Sequence, residues 1–106
     1  MSGLINKVIT NGSVIEVGRI PEGDNKYSSV NILVINPKND ADVNVRAYAT
    51  FQDSPTLVDT IDYRAVLVRE GGRVNLSCEI MSPGERIFID APAGLVVRLT
   101  SVDEDQ

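Results

Sequence analysis

The chain has 106 residues, 42% of them hydrophobic, which favours one folded domain with its own core and argues against disorder. Ten Lys and Arg residues are scattered among 15 Asp and Glu residues, and the net charge of −5 argues against nucleic acid or an anionic membrane as a partner. The single cysteine excludes an internal disulfide, and the absence of histidine removes the commonest general base and metal ligand.

The chain begins with a predicted strand over residues 4–9, followed by Thr-Asn-Gly-Ser at residues 10–13. Asn-Gly pairs tolerate the positive φ angles of a tight two-residue turn. We therefore predict a β-hairpin in which this turn joins residues 4–9 to a second strand over residues 14–19. After a longer loop, the run at residues 30–35, which is apolar apart from Asn31, is typical of a strand that is covered on both faces or lies near the middle of a sandwich.

The middle of the chain contains a clear strand and an ambiguous segment. Apolar and polar residues alternate over Val43–Thr50, which indicates a strand with one buried face. Further on, Leu57 and Ile61 stand at helical spacing and Ser54 is a candidate N-cap. Residues 55–62 therefore stay open between helix and strand, and β-branched residues favour a strand over the second half of this segment.

The last part of the chain alternates again, over residues 73–81 and 86–91, and ends in an apolar strand that begins at Leu95. The Gly-Gly pair at residues 71–72 predicts a second hairpin, which joins a strand over residues 63–68 to the strand over residues 73–81. Each of these segments has the length and residue types of a short strand in a layered sheet.

Together these patterns predict an all-β fold of about eight short antiparallel strands, with turns every roughly eight to twelve residues. The predicted architecture is a single-domain β-sandwich of jelly-roll or immunoglobulin-like topology that spans residues 1–106. Residues 1–7 are a candidate N-terminal arm, and residues 103–106 a short acidic tail. The longest apolar runs have about four residues, whereas a membrane span needs about 20. The opening residues lack the charged-then-apolar pattern of a leader, so we do not expect secretion.

Three carboxylates near the end of the chain are the first candidates for chemistry. Glu79, Glu85 and Asp90 lie in adjacent predicted strands and turns, and a glycosidase needs only two carboxylates about 5–10 Å apart. A structural interpretation is simpler, because Glu85 follows a Pro-Gly turn and can pair with Arg86 or Arg98, and Asp90 can bond its own backbone. We predict that this segment is a turn between strands and that the protein is not an enzyme.

A calcium site is the second candidate. Residues 40–44 begin with the Asp-x-Asp-x-Asn pattern of an EF-hand loop, but Val45 and Phe51 stand where that loop requires Gly and Glu. A looser calcium site with Asn39, Asp40 and Asp42 stays open, and a polar loop is the default interpretation.

Two further residues have structural interpretations. Cys78 alternates with apolar neighbours in its predicted strand, which favours a buried, unreactive thiol. Arg98 stands in the middle of the last strand, where it is solvent-facing or paired with a carboxylate, and an interface role is the weaker alternative. The sequence therefore predicts no catalytic, cofactor-binding or metal-binding residue, and no cofactor.

The segments GLINKVIT, VNILVINP, VNVRAYAT and MSPGERIFIDAPAGLVVRLTSVDE resemble the small all-β virion proteins of tailed bacteriophages. In that family a Pro-Gly-Glu turn, here Pro83, Gly84 and Glu85, leads into a strand. A last strand carrying an arginine, here Arg98, ends near acidic residues, here Asp103 and Glu104.

The resemblance implies a non-catalytic structural protein of the virion, made in the host cytoplasm. Its partners would be the major capsid protein or other virion proteins, and copies would form a homo-oligomer. Capsid decoration is the favoured function, and a tail- or fibre-associated binding module for a receptor or glycan is the alternative. The scarcity of aromatic residues, with no Trp, counts against glycan binding.

Overall fold

The computed structural model describes residues 5–20, 27–37, 42–66 and 72–104. Apart from one turn of 3-10 helix, Leu57–Asp59, the regular structure there is all β. The strands are β1 (Ile5–Ile9), β2 (Ile15–Arg19), β3 (Tyr27–Asn36), β4 (Val43–Thr50), β5 (Thr60–Val66), β6 (Gly72–Met81), β7 (Arg86–Asp90) and β8 (Val96–Glu104). The predicted all-β sandwich of about eight antiparallel strands is confirmed.

The strands form two four-stranded antiparallel sheets. Sheet A has the order β1-β8-β3-β6, and sheet B has the order β2-β7-β4-β5. The pairing is nested: β4 pairs with β5, β3 with β6, β2 with β7 and β1 with β8, as if one long hairpin had been rolled up. Eight strands wound in this way are a jelly roll, which decides between the two predicted topologies.

The two hairpins predicted from Asn-Gly and Gly-Gly are wrong. β1 and β2 lie in different sheets, and so do β5 and β6. The Asn-Gly turn does adopt the expected local geometry, with a φ of 89° at Gly12 and a hydrogen bond from the Ser13 N–H to Asn11 Oδ1 of 3.0 Å. A turn sequence sets only its own backbone angles, whereas burial of apolar faces decides which sheet the next strand joins. Residues 67–71, with the Gly-Gly turn's first glycine, lie outside the described part.

The ambiguous segment contains both elements, as a short 3-10 turn at Leu57–Asp59 followed by β5. The expected strand over its second half is confirmed. The helical turn is capped by Thr56 and not by Ser54: the Thr56 N–H donates to the Asp59 carboxylate over 2.8 Å. Among the described strands, β4 and β5 are the one consecutive pair that also share a sheet, so this segment forms the true hairpin connection.

Both predicted ends of the chain contribute to strands where they are described. Ile5 to Lys7 of the candidate N-terminal arm belong to β1, and Asp103 and Glu104 of the acidic tail belong to β8. Residues 1–4 and 105–106 lie outside the described residues.

The core lies between the two sheets and consists of aliphatic side chains. Alternate residues of each strand supply its side chains. On β3, Val30, Ile32 and Val34 point inwards and are fully buried. Leu33 and Ile35 on the same strand point outwards and are half-buried. The largest fully buried side chains are Ile20, Ile32, Leu76, Ile87, Ile89, Leu99, Val17, Val30, Val34, Val45, Val66 and Val97.

Thr10 closes one end of the sandwich by joining the exit of β1 to the connection between β7 and β8. The Thr10 N–H donates to the Leu95 carbonyl over 2.9 Å, and the Gly94 N–H donates to the Thr10 carbonyl over 3.0 Å. The buried Thr10 hydroxyl accepts from the Leu95 N–H over 2.9 Å and donates to the Pro92 carbonyl. These contacts link parts of the chain that are more than 80 residues apart.

We expect Thr10→Val to lower the free energy of unfolding by about 1–3 kcal/mol, because it leaves the buried Leu95 N–H and the partly buried Pro92 carbonyl without their partner. Urea denaturation followed by circular dichroism measures the change. Thr10→Ser is the matched control, since it keeps the hydroxyl and should cost about 1 kcal/mol or less. Equal losses in the two variants would contradict a role for the hydroxyl.

Candidate functional site

The Pro-Gly-Glu turn is a structural element. Gly84 has a φ of 86°, and the Glu85 N–H donates to the Ser82 carbonyl over 3.1 Å, as the turn prediction requires. The Glu85 carboxylate accepts from the Ser82 N–H over 3.1 Å, so it holds its own turn. The expected pairing of Glu85 with Arg86 or Arg98 is wrong. The contact that Glu85 does make, with the Ser82 N–H, lies within the turn and gives it a structural role there.

The carboxylates do not form a pair with glycosidase spacing. Glu85 precedes the five-residue strand β7 and Asp90 ends it, so about 16 Å of extended chain separates them. Asp90 points outwards from sheet B and makes no hydrogen bond or ion pair within the described residues, so the expected bond to its own backbone is absent. The side chains of Glu79 and Cys78 are outside the described part of the structure, so the predicted burial of the Cys78 thiol stays a prediction.

The candidate calcium loop is only partly described. Asn39 and Asp40 lie outside the described residues, and Asp42 is exposed just before β4. Among the described residues, no three acidic, Cys or His side chains come together in a way that would hold a metal ion.

The outer face of sheet A carries two rows of side chains that cross all four strands. The first row is largely apolar, with Ile9, Val96 and Ile35 side by side and Arg73 at the end. Ile9 is 66% exposed. The second row contains Lys7, Arg98, Leu33 and Asn75. These eight residues, hereafter the basic face, include three cations and no anion.

The cations of the basic face are not compensated within the described part of the chain. Lys7 lies directly opposite Arg98 in the register of β1 and β8, and like charges in such positions destabilise a sheet. Neither these two nor Arg73 has an ion pair among the described residues. The expected pairing of Arg98 with a carboxylate is therefore not found there, whereas its solvent-facing position is observed.

Three of the four described arginines on sheet B have a carboxylate partner, and Arg46 is the exception. Arg19 pairs with Glu16 over 3.2 Å, Arg64 pairs with Asp62 over 3.1 Å, and Arg86 pairs with Asp53. The described cations that lack a carboxylate partner therefore concentrate on sheet A, although the protein as a whole has a net charge of −5. This asymmetry cannot be seen in the linear order of charges, because Lys7, Arg73 and Arg98 lie on three different strands.

A shallow concavity of about 400 Å³ opens on the outer face of sheet B. Arg46 lies in its wall, with its guanidinium carbon 4.6 Å from the centroid of the Tyr63 ring. Asp90 is the register partner of Arg46 on β7, and Asn44 lies on the same strand as Arg46. Gly12 and Pro92, from the two connections at this end of the sandwich, complete the rim.

A second concavity on the same sheet, of about 270 Å³, is aromatic. Tyr48 and Phe88 are register partners that point outwards yet are only 6% and 5% exposed. The β4–β5 connection lies over them, and the Arg86–Asp53 ion pair ties that connection to β7. This cover explains how two outward aromatic side chains are buried without a second sheet.

Sequence reasoning did not identify the basic face or the Arg46 concavity. The available signal is the polar half of each alternating pattern: Arg46 on β4 and Arg73 on β6 occupy outward positions. Assigning them to one surface requires the order of the strands, which nested pairing sets over long distances in the sequence.

Comparison with known proteins gave no matching family model and no matching curated protein. Within the described residues, no helix has the length and apolar character needed to cross a bilayer.

Proposed function

We propose that this protein is a non-catalytic structural component of a tailed-phage virion, a decoration or accessory protein that binds the shell through the basic face of sheet A. The observation that carries the proposal is the cluster of three uncompensated cations around an exposed apolar row. The occupant we propose is an acidic surface of the major capsid protein.

The jelly-roll topology supports this proposal at the level of architecture, because the fold recurs in viral capsid domains, although it also occurs in lectins and cupins. Fold alone does not specify function, so the argument depends on the surface.

The apolar run of β3 supports it more directly. Residues 32–35 of β3 are all apolar, so both faces of the strand carry apolar side chains there, and sheet B covers only the inner face. The outward side chains of Leu33 and Ile35 remain half-buried beside the exposed Ile9. A partner seated on the basic face would bury them.

The charges of the basic face fit the same partner. Lys7 and Arg98 lie directly opposite each other, and their repulsion lowers the stability of the free protein. An anionic surface that covers both residues would give them favourable interactions. Apolar centres with arginine nearby are common in protein interfaces. Repetition over many copies, and association of copies through strand edges such as β1 and β6, would add avidity to a weak single contact.

The test is co-sedimentation of the purified protein with capsids assembled from the major capsid protein encoded by the same phage. We expect saturable binding at a fixed copy number per capsid, and weaker binding as salt rises because the contacts are partly electrostatic. Failure to co-sediment at any salt concentration would overturn the proposal. Binding to DNA with equal affinity would also overturn it, because the cations would then serve a nucleic acid.

A further inference from the structure

The concavity around Arg46 contains an arginine whose hydrogen-bonding capacity the protein does not use. The Arg46 Nε is buried without a hydrogen-bond partner, and no described residue accepts a bond from the terminal nitrogens. The Tyr63 ring holds the guanidinium from one side at 4.6 Å. The terminal nitrogens of Arg46 therefore remain available to a ligand that enters the concavity.

Asp90 adds a second unused group. It faces Arg46 across the β4–β7 pairing, yet the two side chains form no ion pair. Asn44, one outward position along β4 from Arg46, contributes an exposed amide. The wall of the concavity thus offers a cation, an anion, an amide and a half-exposed aromatic ring within one space of about 400 Å³.

We propose that this concavity binds a sugar that carries a carboxylate, such as a uronic or sialic acid. The terminal nitrogens of Arg46 donate to the carboxylate, which matches the planar geometry of guanidinium. Asp90 and the Asn44 carbonyl accept from sugar hydroxyls. The exposed part of the Tyr63 ring packs against the apolar C–H groups of the sugar.

The arrangement disfavours other ligands. Asp90 beside Arg46 repels a doubly charged phosphate more strongly than a singly charged carboxylate, because the repulsion grows with the charge of the ligand. A neutral sugar offers only hydroxyl and ring oxygens as acceptors, which bind a guanidinium more weakly than a carboxylate does. The volume suits one or two sugar rings, since ligand concavities commonly measure about 300–1,000 Å³.

This inference does not depend on shell binding. The concavity lies on the outer face of sheet B, on the side of the sandwich opposite the basic face. A copy seated on a shell through sheet A would display the concavity to solvent. Failure of one proposal therefore leaves the other untouched, because the first is tested with capsids and the second with the isolated protein.

The test is a titration of the ¹⁵N-labelled protein with sodium glucuronate and with N-acetylneuraminate, followed by heteronuclear NMR. We expect saturable shifts at the Arg46 Nε–H and at the amides of Tyr63 and Asp90, with dissociation constants of about 1 mM for single sugars. Glucose and acetate, each offering half of the ligand's chemistry, should bind at least about tenfold more weakly than glucuronate.

Arg46→Gln and Arg46→Lys should each weaken glucuronate binding by about tenfold or more, since neither keeps the bidentate fork. Arg19→Gln is the matched control on the same sheet and should leave the affinity unchanged. Thermal melts establish that each variant is folded, and Tyr63→Ala tests the site while leaving Arg46 in place. The proposal is overturned if glucose or acetate binds as well as glucuronate, if only phosphate or a free amino acid binds, or if Arg19→Gln weakens binding as much as Arg46→Gln.

Discussion

Replacing Leu99 with alanine is expected to lower the free energy of unfolding by about 2–5 kcal/mol, the largest stability loss that we predict for a single substitution. Leu99 lies on β8, inside sheet A between β1 and β3, and its side chain is fully buried. Its register partner on β3, Ile32, is also fully buried, so the deleted methyl groups leave a cavity against well-packed neighbours. Total stability of a small domain is about 5–15 kcal/mol, so the variant should melt far below the parent.

Leu57→Ala is the matched control for this substitution. Leu57 is 70% exposed in the 3-10 turn, so the same chemical change should cost less than about 0.5 kcal/mol. Urea denaturation of both variants gives the comparison, with equal slopes showing that both retain the parent's compactness. Similar losses at the two positions would mean that the core is not where the structure places it.

The strands of this protein are readable from the sequence because burial of one sheet face imposes alternation. Val45 and Ala47 are fully buried on the inner face of β4, while Asn44 and Arg46 point outwards. The same logic identifies the short strand at Arg86–Asp90. What alternation specifies is a local property, namely which side of its own strand each residue occupies.

The topology is not readable in the same way, and the turn at Gly12 shows why. Its positive φ follows from the Asn-Gly pair, but the strand after it joins sheet B, whereas the strand before it belongs to sheet A. A tight turn between paired strands and a corner between sheets use similar residues. The difference depends on partners such as β7 and β8, which lie near the other end of the sequence.

The candidate surfaces required the same long-range information. Arg46, Tyr63 and Asp90 meet because β4 lies between β5 and β7, and no motif links their positions in the sequence. Two carboxylates that the sequence did single out, Glu85 and Asp90, separate to opposite ends of one strand. One of them caps a turn, and the other lines the concavity around Arg46.

Reversing two charges on the basic face should remove most of the binding to the shell. We expect the double variant Arg73→Glu, Arg98→Glu to bind capsids at least about 100-fold more weakly, because it replaces attraction to an acidic surface with repulsion. The two substitutions should not lower the stability of the folded state, because both side chains are exposed. Arg98→Glu also replaces a like-charge pair with an opposite-charge pair, since it places an anion opposite Lys7. If the double variant is at least as stable as the parent but no longer binds capsids, Arg73 and Arg98 act in the interface and not in holding the fold together.

The matched control compares two single charge reversals that change the net charge equally, Arg98→Glu on the basic face and Arg19→Glu on the other sheet. Arg19 pairs with Glu16 on sheet B, and its side chain is 48% exposed. Arg19→Glu should therefore keep nearly all capsid binding, since an exposed ion pair contributes little to stability and sheet B faces away from the proposed partner, whereas Arg98→Glu alone should weaken binding. Co-sedimentation over a range of salt concentrations should show a steep dependence for the parent and for Arg19→Glu, and a flat one for the sheet A double variant. If Arg19→Glu weakens binding as much as Arg98→Glu does, net charge and not the basic face governs attachment, and the assignment of sheet A as the docking surface fails.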